Sequence, residues 1–117
     1  MELTRRIIAN GHEYQFLCET GSTRSGFSHT CHLLRDGGEV AVDTVHYINR
    51  TWESYRFRTV MCRAIESLIG EEKKYLEDEY RKEHGISRMT AKRREEFEKS
   101  IADVELLKEL REVRDQL

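Results

Sequence analysis

Tyr47-Ile48-Asn49-Arg50-Thr51-Trp52-Glu53-Ser54-Tyr55-Arg56-Phe57 joins two halves of the chain with different hydrophobic periods, and it holds the only tryptophan. Before it, apolar residues alternate with polar ones, the mark of strands. After it, Phe57, Val60, Met61, Ala64, Ile65 and Leu68 recur at spacings of three and four, the mark of a helix with one buried stripe. Tyr47, Trp52, Tyr55 and Phe57 can cover both the end of a sheet and the first turn of a helix. The stretch is therefore read as the hinge of a single domain: an antiparallel sheet over 1–48, a junction over 49–56 and two helices over 57–117.

Upstream, Leu3 to Ala9 and His12 to Glu19 flank Asn10-Gly11, the pair that best accepts the positive φ angles of a two-residue hairpin turn. That turn sets Ile7 opposite Tyr14, Arg5 opposite Phe16 and Leu3 opposite Cys18. Leu3, Ile7, Tyr14, Phe16 and Cys18 then share the core face. Thr20 to Gly26 is small and polar, with Arg24 as its one charge, and reads as a loop. It lacks the Gly-Lys-Ser/Thr ending of a phosphate-binding loop. Phe27 to Arg35 and Glu39 to Ile48 form a second hairpin closed within Asp36-Gly37-Gly38. A Gly37-Gly38 turn sets His29 opposite His46 and Cys31 opposite Thr44; an Asp36-Gly37 turn sets His29 opposite Thr44 and Cys31 opposite Val42. Arg6, Gln15, Thr30, His32 and Arg35 are assigned to the outer face.

Downstream, the first helix is expected to start between Thr51 and Ser54, either of which can cap it, and to end at Gly85. Gly70 interrupts it at a cost of about 1 kcal/mol relative to alanine. The second helix is expected to run unbroken from an N-cap at Thr90 to Leu117, with Phe97, Ile101, Val104, Leu107, Leu110, Val113 and Leu117 on one stripe. It opens on Lys92-Arg93-Arg94, which opposes the helix dipole. A first helix of roughly 30 residues spans about 45 Å against about 27 Å for an eight-residue strand, so it must overhang the sheet. Tyr75, Leu76 and Tyr80 then need cover, either from the second helix folding back or from a second copy in a homodimer. The fold expected is α+β: a four-stranded antiparallel meander packed by a long helix, followed by a second long helix.

Composition narrows function. The chain has 38% hydrophobic and 36% charged residues and a net charge of −2, so no global field drives it to nucleic acid or to an anionic membrane. No stretch approaches the roughly 20 apolar residues of a membrane span, and no signal-peptide run is seen, so a cytoplasmic protein is expected. Three cysteines, Cys18, Cys31 and Cys62, lack a disulfide pattern. No cofactor is expected; the alternative is a zinc ion held by His29, Cys31 and His46. No exposed cysteine–histidine pair or isolated carboxylate pair points to an enzyme. All basic residues before Lys73 are arginines, the cation that best suits bidentate and stacked contacts. Arg24, Arg50, Arg56 and Arg58 are accordingly candidates for meeting a partner, and Glu71 and Glu72 for imitating phosphates.

Asn49-Arg50-Thr51-Trp52-Glu53-Ser54-Tyr55, with the Asn10-Gly11-x-x-Tyr14-x-Phe16 opening, resembles a motif of small proteins from phages and other mobile elements. The resemblance covers about the first 65 residues. It implies a non-enzymatic accessory protein that binds and inhibits a host protein, of the anti-CRISPR kind, with a CRISPR effector or another defence nuclease as partner. The alternatives are a single-stranded nucleic-acid-binding protein, suggested by the order of four strands and a helix, and a small zinc-stabilised binding module.

Overall fold

A computed structural model describes residues 1–48 and 57–117. Four strands, β1 (Glu2–Ala9), β2 (His12–Ser22), β3 (Phe27–Arg35) and β4 (Gly38–Tyr47), form an antiparallel meander in sequence order. Among the described residues three helices follow: α1 (Arg58–His84), α2 (Ala91–Ile101) and α3 (Glu105–Asp115). Both hairpins close on two residues of positive φ, Asn10 (51°) with Gly11 (77°) and Asp36 (51°) with Gly37 (84°). These angles match the right-handed twist of the flanking strands, which is why Asn-Gly and Asp-Gly recur at such turns.

Each hairpin carries an irregularity that alternation alone does not reveal. In the first, Arg5 pairs with Phe16 but Leu3 pairs with Leu17, leaving Thr4 as the extra residue. One extra residue reverses every side chain beyond it. Leu3, expected in the core, therefore lies on the outer face and is 49% exposed. In the second, Leu34 pairs with Glu39 and Leu33 with Ala41, so Val40 is the extra residue. The turn is Asp36-Gly37, yet neither expected register holds: His29 faces Val45 and Cys31 faces Asp43. β2 also runs on to Ser22, which confines the loop to 23–26. Gly26 closes that loop against β4, where a Cβ would sit 1.9 Å from the Tyr47 carbonyl oxygen.

The expected caps Thr51 and Ser54 lie outside the described residues. α1 starts later than expected, at Arg58, because Phe57 adopts φ 69° and a right-handed helix cannot pass through that angle. It ends where the glycine rule places it. Gly85 (φ 61°) donates its N–H to the Lys82 carbonyl, and the Ile86 N–H reaches Arg81 O at 3.0 Å.

The second expected helix is two. Its start is as read, with the Thr90 hydroxyl accepting from the Arg93 N–H at 3.2 Å. At Ala102 and Val104 the N–H groups bond three residues back, to Lys99 and Ile101, and Val104 turns extended (ψ 122°) before α3 begins. This break re-aims the stripe. Phe97 and Ile101 cover the outer half of α1, while Leu107, Leu110 and Val113 reach the main core.

α1 packs across β3 and β4, and α3 packs beside α1 and against β1, all on one face of the sheet. Between these layers Tyr14, Phe16, Leu33, Val60, Ile65, Leu107 and Leu110 are fully buried. The 27 residues of α1 span about 40 Å, so its second half overhangs the sheet. There Leu76 and Tyr80 are covered by α2, with the Tyr80 and Phe97 rings 5.4 Å apart. The overhang is a helical arm, and it raises the radius of gyration to 17.0 Å, against about 13 Å for a compact chain of this length.

Candidate functional site

α1 and α3 pack on one face of the sheet, and among the described residues the other face is left open. Leu3 pairs with Leu17, Leu17 with His32 and His32 with Val42, so these four side chains form one row across all four strands. Leu34 lies two residues from His32 and so on the same face. Ile8 adds a further apolar group near the Asn10-Gly11 turn. Val42 is 46% and Ile8 53% exposed, while Leu17 and Leu34 are half-buried by their neighbours. Polar pairs frame the row. Arg6 Nη2 donates to Glu13 Oε2 at 3.0 Å, His32 Nδ1 lies 2.5 Å from Glu39 Oε1, and the Thr30 and Thr44 hydroxyls meet at 3.0 Å. Apolar side chains interrupted by one histidine and edged by hydrogen-bonded pairs resemble the apolar centre and polar rim of a protein-contact surface.

Single-stranded nucleic acid would need rings on this face, because bases bind sheets by stacking. Tyr14, Phe16 and Phe27 point into the core instead, and among the described residues the open face carries no Phe, Tyr or Trp.

The inner face holds a polar group that sequence reading missed. Glu109 is only 3% exposed yet lies among charges. Arg35 donates to it twice, Nε to Oε2 at 2.8 Å and Nη2 to Oε1 at 3.3 Å. Asn10 Nδ2 donates to Oε1 at 3.2 Å, and the Tyr14 hydroxyl donates to Oε2. Arg35 Nε also reaches the Tyr14 hydroxyl oxygen at 3.0 Å. Burial alone would raise the Glu109 carboxyl, but the bonds from Arg35, Tyr14 and Asn10 outweigh it and hold the group below the usual carboxylate range. Burial, and then the hydrogen bond to Glu109, push the Tyr14 phenol up. His12 stands at the edge, with Nδ1 2.6 Å from Asp36 Oδ2 and Nε2 3.9 Å from Glu109 Oε1. Together these bonds fasten α3 to the two hairpins.

Arg35 was assigned to the outer face, and the structure corrects this. It pairs with Tyr14 and follows Leu33 by two, so alternation turns it inward. That alternation, taken strictly over the charge, was the available signal. For Glu109 no local signal existed, since its partners lie 74 to 99 residues away.

The sequence-derived contact residues do not converge. Arg24 is exposed in the 23–26 loop, and Arg58 is exposed at the start of α1 at the same end of the sheet. Glu71 is exposed and Glu72 half-buried, about 20 Å along α1 from Arg58. Arg50 and Arg56 lie outside the described residues.

The alternative zinc set is not assembled either. His29 is buried on the inner face, its ring 4.5 Å from Phe57, 5.1 Å from Tyr47 and 5.3 Å from Phe27. Cys31 is also inward, directly opposite Cys18. His46 pairs with Ser28 and is exposed on the other face. The Val40 bulge sets this register, so His46 cannot join the other two, and among the described residues no three His, Cys, Asp or Glu gather at a metal-binding distance.

Among the described residues, the depressions beside Asn10 and Glu109 (about 160 Å³) and beside Leu76 and Phe97 (about 210 Å³) fall below the roughly 300 Å³ of ordinary ligand pockets. Among the described residues no helix is long and apolar enough to cross a membrane. Comparison with protein-family models, curated proteins and solved structures finds no match.

Proposed function

We propose that the chain is a non-catalytic binding protein that seats a partner protein on the open face of its sheet. The carrying observation is the row Leu3–Leu17–His32–Val42, three apolar side chains and a histidine across a face that, among the described residues, no helix covers. Four strands about 4.8 Å apart and roughly eight residues long present about 500 Å² in projection, and side-chain relief brings this near the ~800 Å² that each side of a stable interface buries. Arg24 and Arg58 would extend the contact at one end. The resemblance of the 49–55 junction to mobile-element proteins favours a host defence protein as partner. Occupying the DNA-binding surface of a CRISPR effector nuclease is the inhibitory mode that fits a protein without catalytic machinery.

The test is a cleavage assay with CRISPR effector nucleases, together with crosslinked capture from host lysate, using the native chain and a Leu3→Asp/Val42→Asp variant. Both positions are about half exposed, so the variant should keep its far-UV spectrum while losing inhibition or capture. Unchanged capture by the variant would rule out the sheet face as the contact surface.

A further inference from the structure

The tip of the helical arm has a charge unlike the rest of the molecule. Residues 81–94 hold six Lys or Arg against the single Glu83, a local charge of +5 in a chain whose net charge is −2, so everything else carries −7. The fold gathers these cations from the end of α1, from Arg88 in the 85–90 connection and from the start of α2. Glu77 takes up the two nearest the body, with Arg81 Nη2 3.4 Å from its Oε1 and Arg94 in contact with the same oxygen. Arg93 leans on Glu96 at 3.7 Å. Lys82, Arg88 and Lys92 are exposed and form no ion pair among the described residues.

This distribution is unfavourable for the protein by itself. The first turn of α2 contains no acidic residue, and cations there face the positive end of the helix, which disfavours them. An anion at the tip would offset both that cost and the mutual repulsion of the patch. Polyanions differ in what they need. A protein contact relies on a desolvated apolar or aromatic anchor, and at the tip Ile86 and Met89 are half-buried with no large hydrophobic side chain exposed. Single strands call for exposed rings, whereas Tyr80 is stacked on His84 at 4.1 Å. A duplex backbone asks only for spaced cations and N–H donors.

We propose that the arm tip binds the phosphate backbone of duplex nucleic acid through Lys82, Arg88, Lys92 and Arg93. This surface is separate from the sheet face, and the inference does not depend on the protein-binding reading. Four phosphate contacts give a salt slope of about −3.6, so affinity should fall about 100-fold or somewhat more between 50 and 200 mM salt.

The experiment is fluorescence anisotropy with a labelled 20-base-pair DNA duplex and the matching single strand, at both salt concentrations. The full native chain is compared with a Lys82→Glu/Arg88→Glu/Lys92→Glu variant and with the Leu3→Asp/Val42→Asp variant. A labelled polyglutamate peptide serves as a second polyanion. The expected result is duplex binding that weakens with salt as stated, at least a tenfold loss in the tip variant with its thermal unfolding unchanged or slightly raised, and no loss in the sheet variant. No duplex binding at 50 mM salt, binding that survives tip charge reversal, or a preference for polyglutamate or the single strand would each overturn the proposal.

Discussion

Replacing Glu109 by alanine tests the inward polar group most directly. The change leaves the Arg35 guanidinium without its carboxylate and the buried Tyr14 hydroxyl without its acceptor. Breaking a buried ion pair by removing one partner costs about 3–5 kcal/mol. The Arg35 side chain retains 29% exposure, so water recovers part of its solvation and the value falls toward the low end. The unpaired Tyr14 hydroxyl, about 1–3 kcal/mol alone, keeps it from falling much further. The expected loss is about 3 kcal/mol, read by urea unfolding under circular dichroism as a midpoint lowered by about 2 M. Glu109→Gln keeps an acceptor for Tyr14 and should cost about half as much. The pH dependence carries a definite sign. Because the folded carboxyl sits below its ordinary value of 4.5, its contribution is complete above that pH and is lost as pH falls through the lowered value. Glu109→Gln should therefore flatten the acid limb of the stability curve. A loss below about 0.5 kcal/mol for Glu109→Ala, or an acid limb unchanged by Glu109→Gln, would refute the reasoning.

Three further outcomes follow from other parts of the fold. Gly26→Ala places a Cβ 1.9 Å from backbone that cannot swing away, so about 2–3 kcal/mol should be lost, with amide shifts centred on Tyr47. In native protein a thiol reagent should modify the half-buried Cys62 first and leave Cys18 and Cys31 protected until unfolding, since both are buried and Cys31 is pushed up by its hydrogen bond to Cys18 and by burial. Thr90→Ala removes the α2 N-cap bond and should cost about 1 kcal/mol, visible as faster hydrogen exchange in the first turn of α2.

The hairpins were legible because their turns are local: Asn10-Gly11 and Asp36-Gly37 state their own geometry. Their registers were legible only as far as the bulges at Thr4 and Val40, where neither residue type announces an insertion. Gly85 and Thr90 marked helix ends for the same local reason that the turns were readable. The break at 102–104 was hidden because Phe97, Ile101, Val104 and Leu107 keep a helical spacing straight through it, and only the demand to cover both α1 and the main core forces the kink. The open-face row was half legible: Leu17 and His32 follow from alternation, but Leu3 and Val42, both placed on the core face by unbroken registers, join them only through the bulges at Thr4 and Val40. Arg24 and Arg58 are both exposed, whereas the cations of the arm tip gather only because Gly85 folds α2 back beside α1.

The bonds that fasten Glu109 also say something about the order in which the chain assembles. Both hairpins close over two residues and can form within microseconds, whereas the Tyr14, Arg35 and Asn10 contacts to Glu109 join residues 95, 74 and 99 apart. Loop-closure entropy places such long-range contacts late. Interactions absent from the transition state act on the unfolding rate and hardly on the folding rate. The buried carboxylate is thus a latch on a finished structure: its loss should shorten the lifetime of the native state while leaving the speed of its formation nearly untouched.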